Sequence, residues 1–379
     1  MVVLKALQNT WTPIGVDVGA RGARMVQARR VGDRHTIVAA AQCERAAPVE
    51  RDLSEQAPQL LAECLEKSRF RGRAAVAALM TPDIEYHSLD LPAAALQADA
   101  DQVVRFEVQR LMTDPPENFE TRHWLLPRAS ASGPNTLAVG APREIIHRML
   151  TACASAGLAC SCVDAAGLAL VRFALRLQSW PAGTVWGVLD VGERRSRLIL
   201  CVDECPVLVR AVGTGGHIWT QRIADALQLS FKAAEVHKRT HGIALAGIRE
   251  SGVAARSTPS EARPANPGLR AGVNEPRSEL ASMLLGALRL DLNDLAGEVK
   301  RSYEYVLGCY PKCRAADLVL VGGGAGLRNL PEHLGQALGI RVRRASEYLN
   351  EPGCRLAFTG SQREPMEAYA LATGLTIRG

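Results

Sequence analysis

Two short strings in this chain share one pattern of acidic, glycine and basic residues. Asp17-Val18-Gly19 is followed by Arg24, and Asp190-Val191-Gly192 is followed at the same spacing by Arg197. Glycine lets a backbone turn approach a ligand closely, and successive N–H groups in such a turn can bind an anion. An aspartate beside the turn can hold a water of Mg²⁺, which keeps most of its waters in proteins. The strings therefore predict two phosphate loops, with Asp17 and Asp190 as water-mediated magnesium sites.

The surroundings of the two strings repeat as well, 173 positions apart. Residues 14–41 and 186–212 each contain three apolar stretches that are separated by two turns. This pattern is typical of three consecutive strands. A repeat of domain size predicts two similar α/β halves that face each other across a cleft. An ordinary hairpin with a turn glycine explains either string alone, but the pair favours a cleft that holds the phosphates of a nucleotide.

A third glycine-rich loop lies late in the chain. The buried-type strand 317–321 leads into Gly322, Gly323 and Gly324, and a helical stretch follows. A dinucleotide-binding fingerprint would need a third glycine at position 327, where the chain has Leu327. The loop instead suits a backbone that passes under the base and ribose of a nucleotide.

Two helical stretches separate these loops. Ser230 can cap a helix that carries Glu235 and Lys238, whose spacing of three residues places them on one face as a surface ion pair. A long apolar stripe from Leu284 to Val306 predicts a buried helix. This stripe is expected to be core and not a cofactor site.

Composition and charge exclude several classes of protein. The chain has 379 residues, 47% apolar and 22% charged, which is typical of a globular protein of about two domains. The net charge of +6 is spread thinly and no basic run contains interleaved aromatic residues, so nucleic acid is not an expected partner. Ten cysteines without a C-x-x-C pair predict free thiols in a reducing compartment. No signal sequence or long apolar stretch is found, and a cytoplasmic protein is expected.

The same signals divide the chain into halves. We expect a first half at 1–183, interrupted by a small inserted subdomain at about 82–156, which contains a break at Pro115-Pro116. The second half is expected at 184–379. It contains a stretch at about 250–278 that is rich in Pro, Ser, Ala, Gly and Arg and is predicted to be disordered. The closing helix, near 368–375, is expected to pack back on the first half.

Six stretches resemble a known family. They are residues 106–127, 139–175, 227–238, 295–305, 318–342 and 368–375. They are similar to the PilM-like type IV pilus assembly proteins, which belong to the actin-like ATPase superfamily and are similar to FtsA. The resemblance covers nearly the whole chain except 250–278. It implies an α/β fold of the actin, Hsp70 and hexokinase type, duplicated into two domains with a nucleotide cleft and a small subdomain inserted in the first half.

The family's functional residues transfer to positions of this chain that match its motifs. Two phosphate loops are implied at Asp17, Gly19 and Arg24 and at Asp190 and Gly192, contacts to ribose and phosphates at Gly215 and Gly216, contacts to ribose and adenine at Glu235 and Lys238, and an adenosine loop at Gly322, Gly323 and Gly324. The resemblance implies ATP and Mg²⁺ as cofactors. No catalytic residue is assigned.

The phosphate loops depart from the family pattern. Small hydroxyl residues usually follow the first glycine, where this chain has Ala20, Arg21 and Gly22. The second loop has Glu193, Arg194 and Arg195 in place of small and hydroxyl residues. Arginine can bind phosphate as a bidentate fork, or these side chains can fill the cleft. We therefore expect a degenerate nucleotide site and at most a weak ATPase activity. If the arginine side chains fill the cleft, ATP and Mg²⁺ are expected to be absent from it.

The resemblance implies a cytoplasmic scaffold, peripheral at the inner membrane, of a type IV pilus or related secretion machine. Its implied partner is the N-terminal cytoplasmic peptide of a PilN-like membrane protein, bound in a groove that involves the inserted subdomain. Pilus motor ATPases are a second partner class. The alternative is an active ATPase or a small-molecule kinase of the sugar type on the same fold, for which Asp164 is the candidate base.

Overall fold

The protein is described here by a computed structural model that covers residues 9–46, 55–111, 118–127, 133–245, 275–359 and 365–377. Across these ranges, none of the helices combines the length and the apolar character that crossing a bilayer requires. The predicted break at Pro115-Pro116 lies outside the described residues.

The first half alternates strands and helices. Its elements are β1 (Asn9–Trp11), β2 (Ile14–Gly19), β3 (Gly22–Val31), β4 (Arg34–Glu44), α1 (Ala57–Lys67), β5 (Ala74–Leu79), β6 (Glu85–Leu89), α2 (Ala93–Leu111), β7 (Phe119–Leu125), β8 (Thr136–Pro142), α3 (Arg143–Ser155), β9 (Ala159–Ala165) and α4 (Ala166–Leu177). The main sheet has the order β4-β3-β2-β5-β9, and β1 pairs with β3.

The second half follows the same plan. Its elements are β10 (Thr184–Val191), β11 (Ser196–Val202), β12 (Cys205–Val212), α5 (Gly216–Leu227), α6 (Phe231–His241), α7 (Glu275–Cys309), β13 (Arg314–Val321), α8 (Leu330–Leu338), β14 (Val342–Arg344), β15 (Leu356–Phe358) and α9 (Ala370–Thr376). Its sheet has the order β12-β11-β10-β13-β14. Late in the chain, β15 leaves this half and pairs in parallel with β4 of the first.

The two sheets have one topology. In each, a three-stranded antiparallel meander is followed by two parallel strands, because β5 pairs in parallel with β2 just as β13 does with β10. The central strands are apolar and nearly fully buried, as expected for strands covered on both faces. The duplication predicted from the repeated strings is therefore present in the strand order itself.

The inserted subdomain is a three-stranded antiparallel sheet in the order β6-β8-β7, with α2 against it. The sequence places its end near residue 156, after α3. Helix α3 instead buries Met149, Ala152 and Cys153 in the core of the first half. The sheet of the insert ends with β8 at Pro142, because the apolar face of α3 is turned to the main sheet.

The long helix α7 buries the predicted stripe from Leu284 to Val306. It begins at Glu275, so residues 275–278, which were predicted to be disordered, are helical. The remainder of the predicted disordered stretch, 250–274, lies outside the described residues. Ser230 caps α6 as predicted, because its hydroxyl accepts a hydrogen bond from the backbone N–H of Ala233 at 3.2 Å.

The closing helix α9 is buried along its whole length and packs against α4 and β2 of the first half. Two glycines permit this approach. A Cβ atom on Gly374 would lie 2.0 Å from the carbonyl oxygen of Ala169, and one on Gly15 would lie 1.9 Å from that of Ala372. The backbones of α9, α4 and β2 therefore touch at these two points, and no side chain fits between them.

We expect Gly374→Ala to destabilise the protein by at least about 2 kcal/mol, because the new methyl group meets a backbone carbonyl that cannot move aside. Gly286→Ala is the matched control, since Gly286 is also helical and a Cβ there meets nothing within 4 Å. That control should be neutral or stabilising by up to about 1 kcal/mol. Urea unfolding measures both, and equal midpoints for the two variants would contradict the predicted packing.

Candidate functional site

A cleft of about 950 Å³ opens between the two halves. The turn after β2, the turn after β10, the start of α5, one face of α6 and the loop after β13 form its walls. The structure brings together nearly all predicted site residues on these walls, namely Asp17, Gly19, Arg24, Asp190, Gly192, Gly216, Glu235, Lys238, Gly322, Gly323 and Gly324. Gly215 lies just behind the wall, where a Cβ would come 2.7 Å from the carbonyl oxygen of Glu193.

Each half contributes an aspartate–arginine pair at the same place in its hairpin. Asp17 lies opposite Arg24 in the β2–β3 register, and Asp190 lies opposite Arg197 in the β10–β11 register. The Arg24 Nη1 atom is 3.8 Å from the Asp17 carboxylate, and Arg197 forms a close hydrogen-bonded ion pair with Asp190. Arg197 also reaches across the cleft, where its Nη2 atom lies 2.8 Å from Met80 Sδ.

The Asp17 carboxyl group has an unusual environment. Burial raises its pKa to about 6 and nearby Asp190 adds to the increase, whereas Arg24 and Arg197 oppose it. Its Oδ1 atom is buried. This oxygen of the Asp17 carboxylate has no hydrogen-bond donor among the described residues.

A second polar network holds the start of α5. Lys238 is buried and donates hydrogen bonds to the Gly216 carbonyl at 2.8 Å and to the Thr220 hydroxyl at 2.6 Å. Its Nζ atom lies 2.7 Å from Glu235. The ion pair expected on the surface is therefore a buried one. Burial alone would raise the pKa of Glu235, but Lys238, Thr220 and Arg239 outweigh it and lower the pKa to about 2.

Arg21 joins the two halves across the cleft. It lies in the turn after β2, and its Nη1 atom is 3.3 Å from Glu193 and 3.5 Å from Glu235, both in the second half. Its Nε atom is 3.5 Å from Glu44. One guanidinium group thus stands among three carboxylates, in the space between the two turns.

The glycine-rich loop after β13 packs tightly on the second aspartate strand. Gly322 has a φ of +85°, and a Cβ there would lie 2.3 Å from Asp190 Oδ1. A Cβ on Gly324 would lie 2.3 Å from Val191 Cγ1. The glycines are therefore required by this contact alone, whether or not a nucleotide passes over them.

The sequence interpretation omitted several residues of the cleft. Arg197 was recognised as the repeat of Arg24 but was not assigned to the site, although the constant offset between the strings identifies it. Thr220 and Glu367 also belong to the networks of the cleft. Their partners are distant in the chain, so no local pattern marks them.

Asp164, the base that a kinase would need, does not line the cleft. Its carboxylate pairs with Arg172 and accepts a hydrogen bond from the backbone N–H of Ala165. The carboxylate is thus held at the start of α4, where it has a structural role.

The residues do not fit a directly bound divalent cation. In the described part of the chain, no group of three or more His, Cys, Asp and Glu side chains could hold a metal ion. Asp17 and Asp190 each face an arginine, whose positive charge opposes that of a cation. The water-mediated magnesium site at these two residues stays a prediction.

The sequence model of the type IV pilus assembly protein PilM matches residues 15–245. The chain belongs to the PilM family of type IV pilus assembly proteins. The model of the cell division protein FtsA matches residues 187–374, in the second half. No curated protein sequence matches the chain.

Solved structures share the fold. A chain described as belonging to a PilM-PilN type IV pilus biogenesis complex is 22% identical with a TM-score of 0.68, and the match covers 96% of this chain and 97% of that one. The ethanolamine utilization protein EutJ from Carboxydothermus hydrogenoformans is 14% identical with a TM-score of 0.52, over 99% and 92%. The family and these folds confirm the predicted actin-like, duplicated α/β architecture.

The low pKa of Glu235 predicts a pH dependence of stability. A carboxyl whose folded pKa is about 2 and whose ordinary value is 4.5 contributes stability that is complete above about pH 4.5 and is lost as the pH falls towards 2. We expect Glu235→Gln to unfold at lower urea concentration at pH 7 and to lose less stability between pH 4.5 and 2. Glu304→Gln, which removes an exposed carboxylate of α7, is the control. Parallel curves for Glu235→Gln and wild type would contradict this assignment.

Proposed function

We propose that the protein is a scaffold of a type IV pilus or related secretion machine, and that its cleft binds ATP with weak or absent hydrolysis. Membership of the PilM family supports a role in pilus assembly. The observation that carries the proposal of weak or absent hydrolysis is that the carboxylates of the cleft are paired. All six of them already have an ion-pair or hydrogen-bond partner: Asp17, Glu44, Asp190, Glu193, Glu235 and Glu367.

Hydrolysis of ATP needs a group that can orient or deprotonate the attacking water within hydrogen-bond distance. The partnered carboxylates are poorly suited to this task, because breaking a buried pair leaves an uncompensated charge. The residues after the two loop glycines, 20–22 and 193–195, include no hydroxyl side chain. The cleft is therefore better suited to hold phosphates than to activate water.

A bound nucleotide would change the ion pairs that join the two halves of the protein. Arg21 reaches Glu193 and Glu235 in the space where phosphates would lie between the turns. A phosphate group competes with these carboxylates for the guanidinium, because it is also an anion with bidentate geometry. Bound nucleotide would thus favour a different arrangement of the halves, as any ligand with differential affinity does.

The partner we propose is the N-terminal cytoplasmic peptide of a PilN-like inner-membrane protein. The fold is shared with a chain of a PilM-PilN complex, which supports this choice. Binding such a peptide would place the protein at the inner membrane. Pilus motor ATPases are a second partner class for the same scaffold.

Hydrogen bonds join the inserted subdomain to the second half. The Trp124 indole donates to the Pro206 carbonyl at 2.8 Å, and the Tyr310 hydroxyl donates to the Pro127 carbonyl at 3.2 Å. Pro206 lies in β12, which runs directly into the glycines that begin α5 at the cleft. A peptide bound at the subdomain would therefore act on an element that reaches the nucleotide site.

The same subdomain exposes large apolar side chains. Phe106 on α2 is 58% exposed and Leu125 on β7 is 60% exposed. A large apolar surface that faces solvent marks an interaction site when its side chains form one patch. We propose that they contribute to the docking of the peptide.

A specific observation favours a second candidate, an active ATPase. Asp17 has one buried oxygen without a hydrogen-bond partner among the described residues, and this oxygen could orient a water molecule. This candidate and the scaffold differ in one measurable quantity, the rate of ATP hydrolysis.

For the partner, we expect Phe106→Ser and Leu125→Ser each to weaken binding of a PilN-like N-terminal peptide about tenfold, which is about 1.4 kcal/mol. Leu290→Ser is the matched control, because Leu290 is 73% exposed on α7 of the second half. Fluorescence anisotropy with a labelled peptide measures all three. Equal affinity for the wild type and both insert variants would place the groove elsewhere.

For the nucleotide, calorimetry should show ATP binding to the wild type, and the rate of hydrolysis should be the same for the wild type and Asp17→Asn. The reason is that the carboxylates of the cleft, Asp17 among them, are held by their partners and do not deprotonate the attacking water. A tenfold lower rate for Asp17→Asn would identify an active ATPase instead. Absence of heat with ATP would refute the nucleotide proposal and leave the scaffold.

A further inference from the structure

We propose that Arg24 and Arg197 replace the divalent cation, so that the cleft binds the phosphates of a nucleoside triphosphate without Mg²⁺. This inference rests on the proposed nucleotide binding. It starts from the two aspartates on the floor of the cleft, which would repel a phosphate unless a positive charge neutralised them.

The size of that repulsion shows why a cation is needed. Two like unit charges about 4 Å apart in a site with an effective dielectric constant of about 20 repel about four times more strongly than they do in bulk water. A divalent metal ion can remove this repulsion, because it lies between carboxylate and phosphate. A guanidinium group fixed on each carboxylate removes it as well.

The structure supplies such a guanidinium group in both halves. Arg24 faces Asp17 at 3.8 Å, and Arg197 is paired closely with Asp190. Both arginines line the cleft together with the aspartates. The cross-strand register is the same in the two hairpins, so the pairing is a repeated feature of the fold.

Arg197 also has a donor to spare. The side chain is buried with 8% of its surface exposed, and its Nε–H has no hydrogen-bond acceptor among the described residues. A buried N–H without an acceptor is costly, and this cost favours a movement of the side chain that brings the N–H to an anion in the cleft. The planar donor array of arginine matches the geometry of phosphate as well as that of carboxylate.

A metal ion would find little room at Asp190. One carboxylate oxygen is taken by Arg197, and the other packs against Gly322, where even a Cβ would come within 2.3 Å. Arg197 itself is enclosed by Met80 from the first half. A cation would therefore have to displace a buried ion pair.

Calorimetry of the wild type with ATP, once in excess Mg²⁺ and once in EDTA, tests the inference. We expect the two dissociation constants to agree within about threefold. Binding that weakens more than tenfold in EDTA would overturn the inference but leave nucleotide binding in place. Absence of binding under both conditions would overturn the inference and the nucleotide proposal together.

Arg24→Gln tests the role of the arginine itself. Its ion pair is the longer of the two, so its loss should destabilise the protein less than the loss of Arg197 would, and a cooperative urea transition shows that the variant is folded. We expect affinity for ATP in EDTA to fall at least tenfold and to recover in part with Mg²⁺. Arg222→Gln is the control, because Arg222 is exposed and pairs with Asp291 away from the cleft. Unchanged affinity of Arg24→Gln in EDTA would contradict the inference.

Discussion

A carboxylate buried in the middle of a sheet requires a positive partner, and this protein meets that requirement twice. Asp17 and Asp190 lie on the central strands of the two halves, where removing a partner charge typically costs about 3–5 kcal/mol. The partners come from the next strand of the same hairpin, Arg24 and Arg197. Each ion pair stabilises the cross-strand register of its own hairpin. The two arginines also place positive charge in the cleft. The chemistry of the site and the stability of the sheets thus depend on the same contacts.

Much of the fold was predictable because its signals are local. Alternating apolar runs and turn residues mark both meanders, and a stripe of leucines marks α7. The course of β15 was not predictable, because a three-residue strand that joins the sheet of the other half carries no local signal. The packing of α3, which the sequence places in the insert, was not predictable for a similar reason. The sequence of α3 shows an amphipathic helix, but only packing decides which sheet it covers.

The candidate site follows the same division. Glycines and aspartates of the loops were found from their repeated spacing, and Ser230 from its capping position. The bridge from Arg21 to Glu193 and Glu235 was not, since it joins residues 172 or more positions apart. The burial of Lys238 was missed because its spacing to Glu235 is equally typical of a surface pair. Local sequence patterns predict which residues lie at the turns. Ion pairs between the two halves cannot be predicted in this way, because they depend on how the halves pack against each other.

The position of α9 has a consequence for the way the protein is made. Its seven buried residues fill a gap between α4 and β2, yet the ribosome produces them about 190 residues after α4. At about 5–20 residues per second, that interval is on the order of 10–40 s. During this time the first half emerges with an apolar trough uncovered, so it cannot complete its core during synthesis as an independent domain would. The first half therefore reaches its native state only after the chain of the second half has been synthesised.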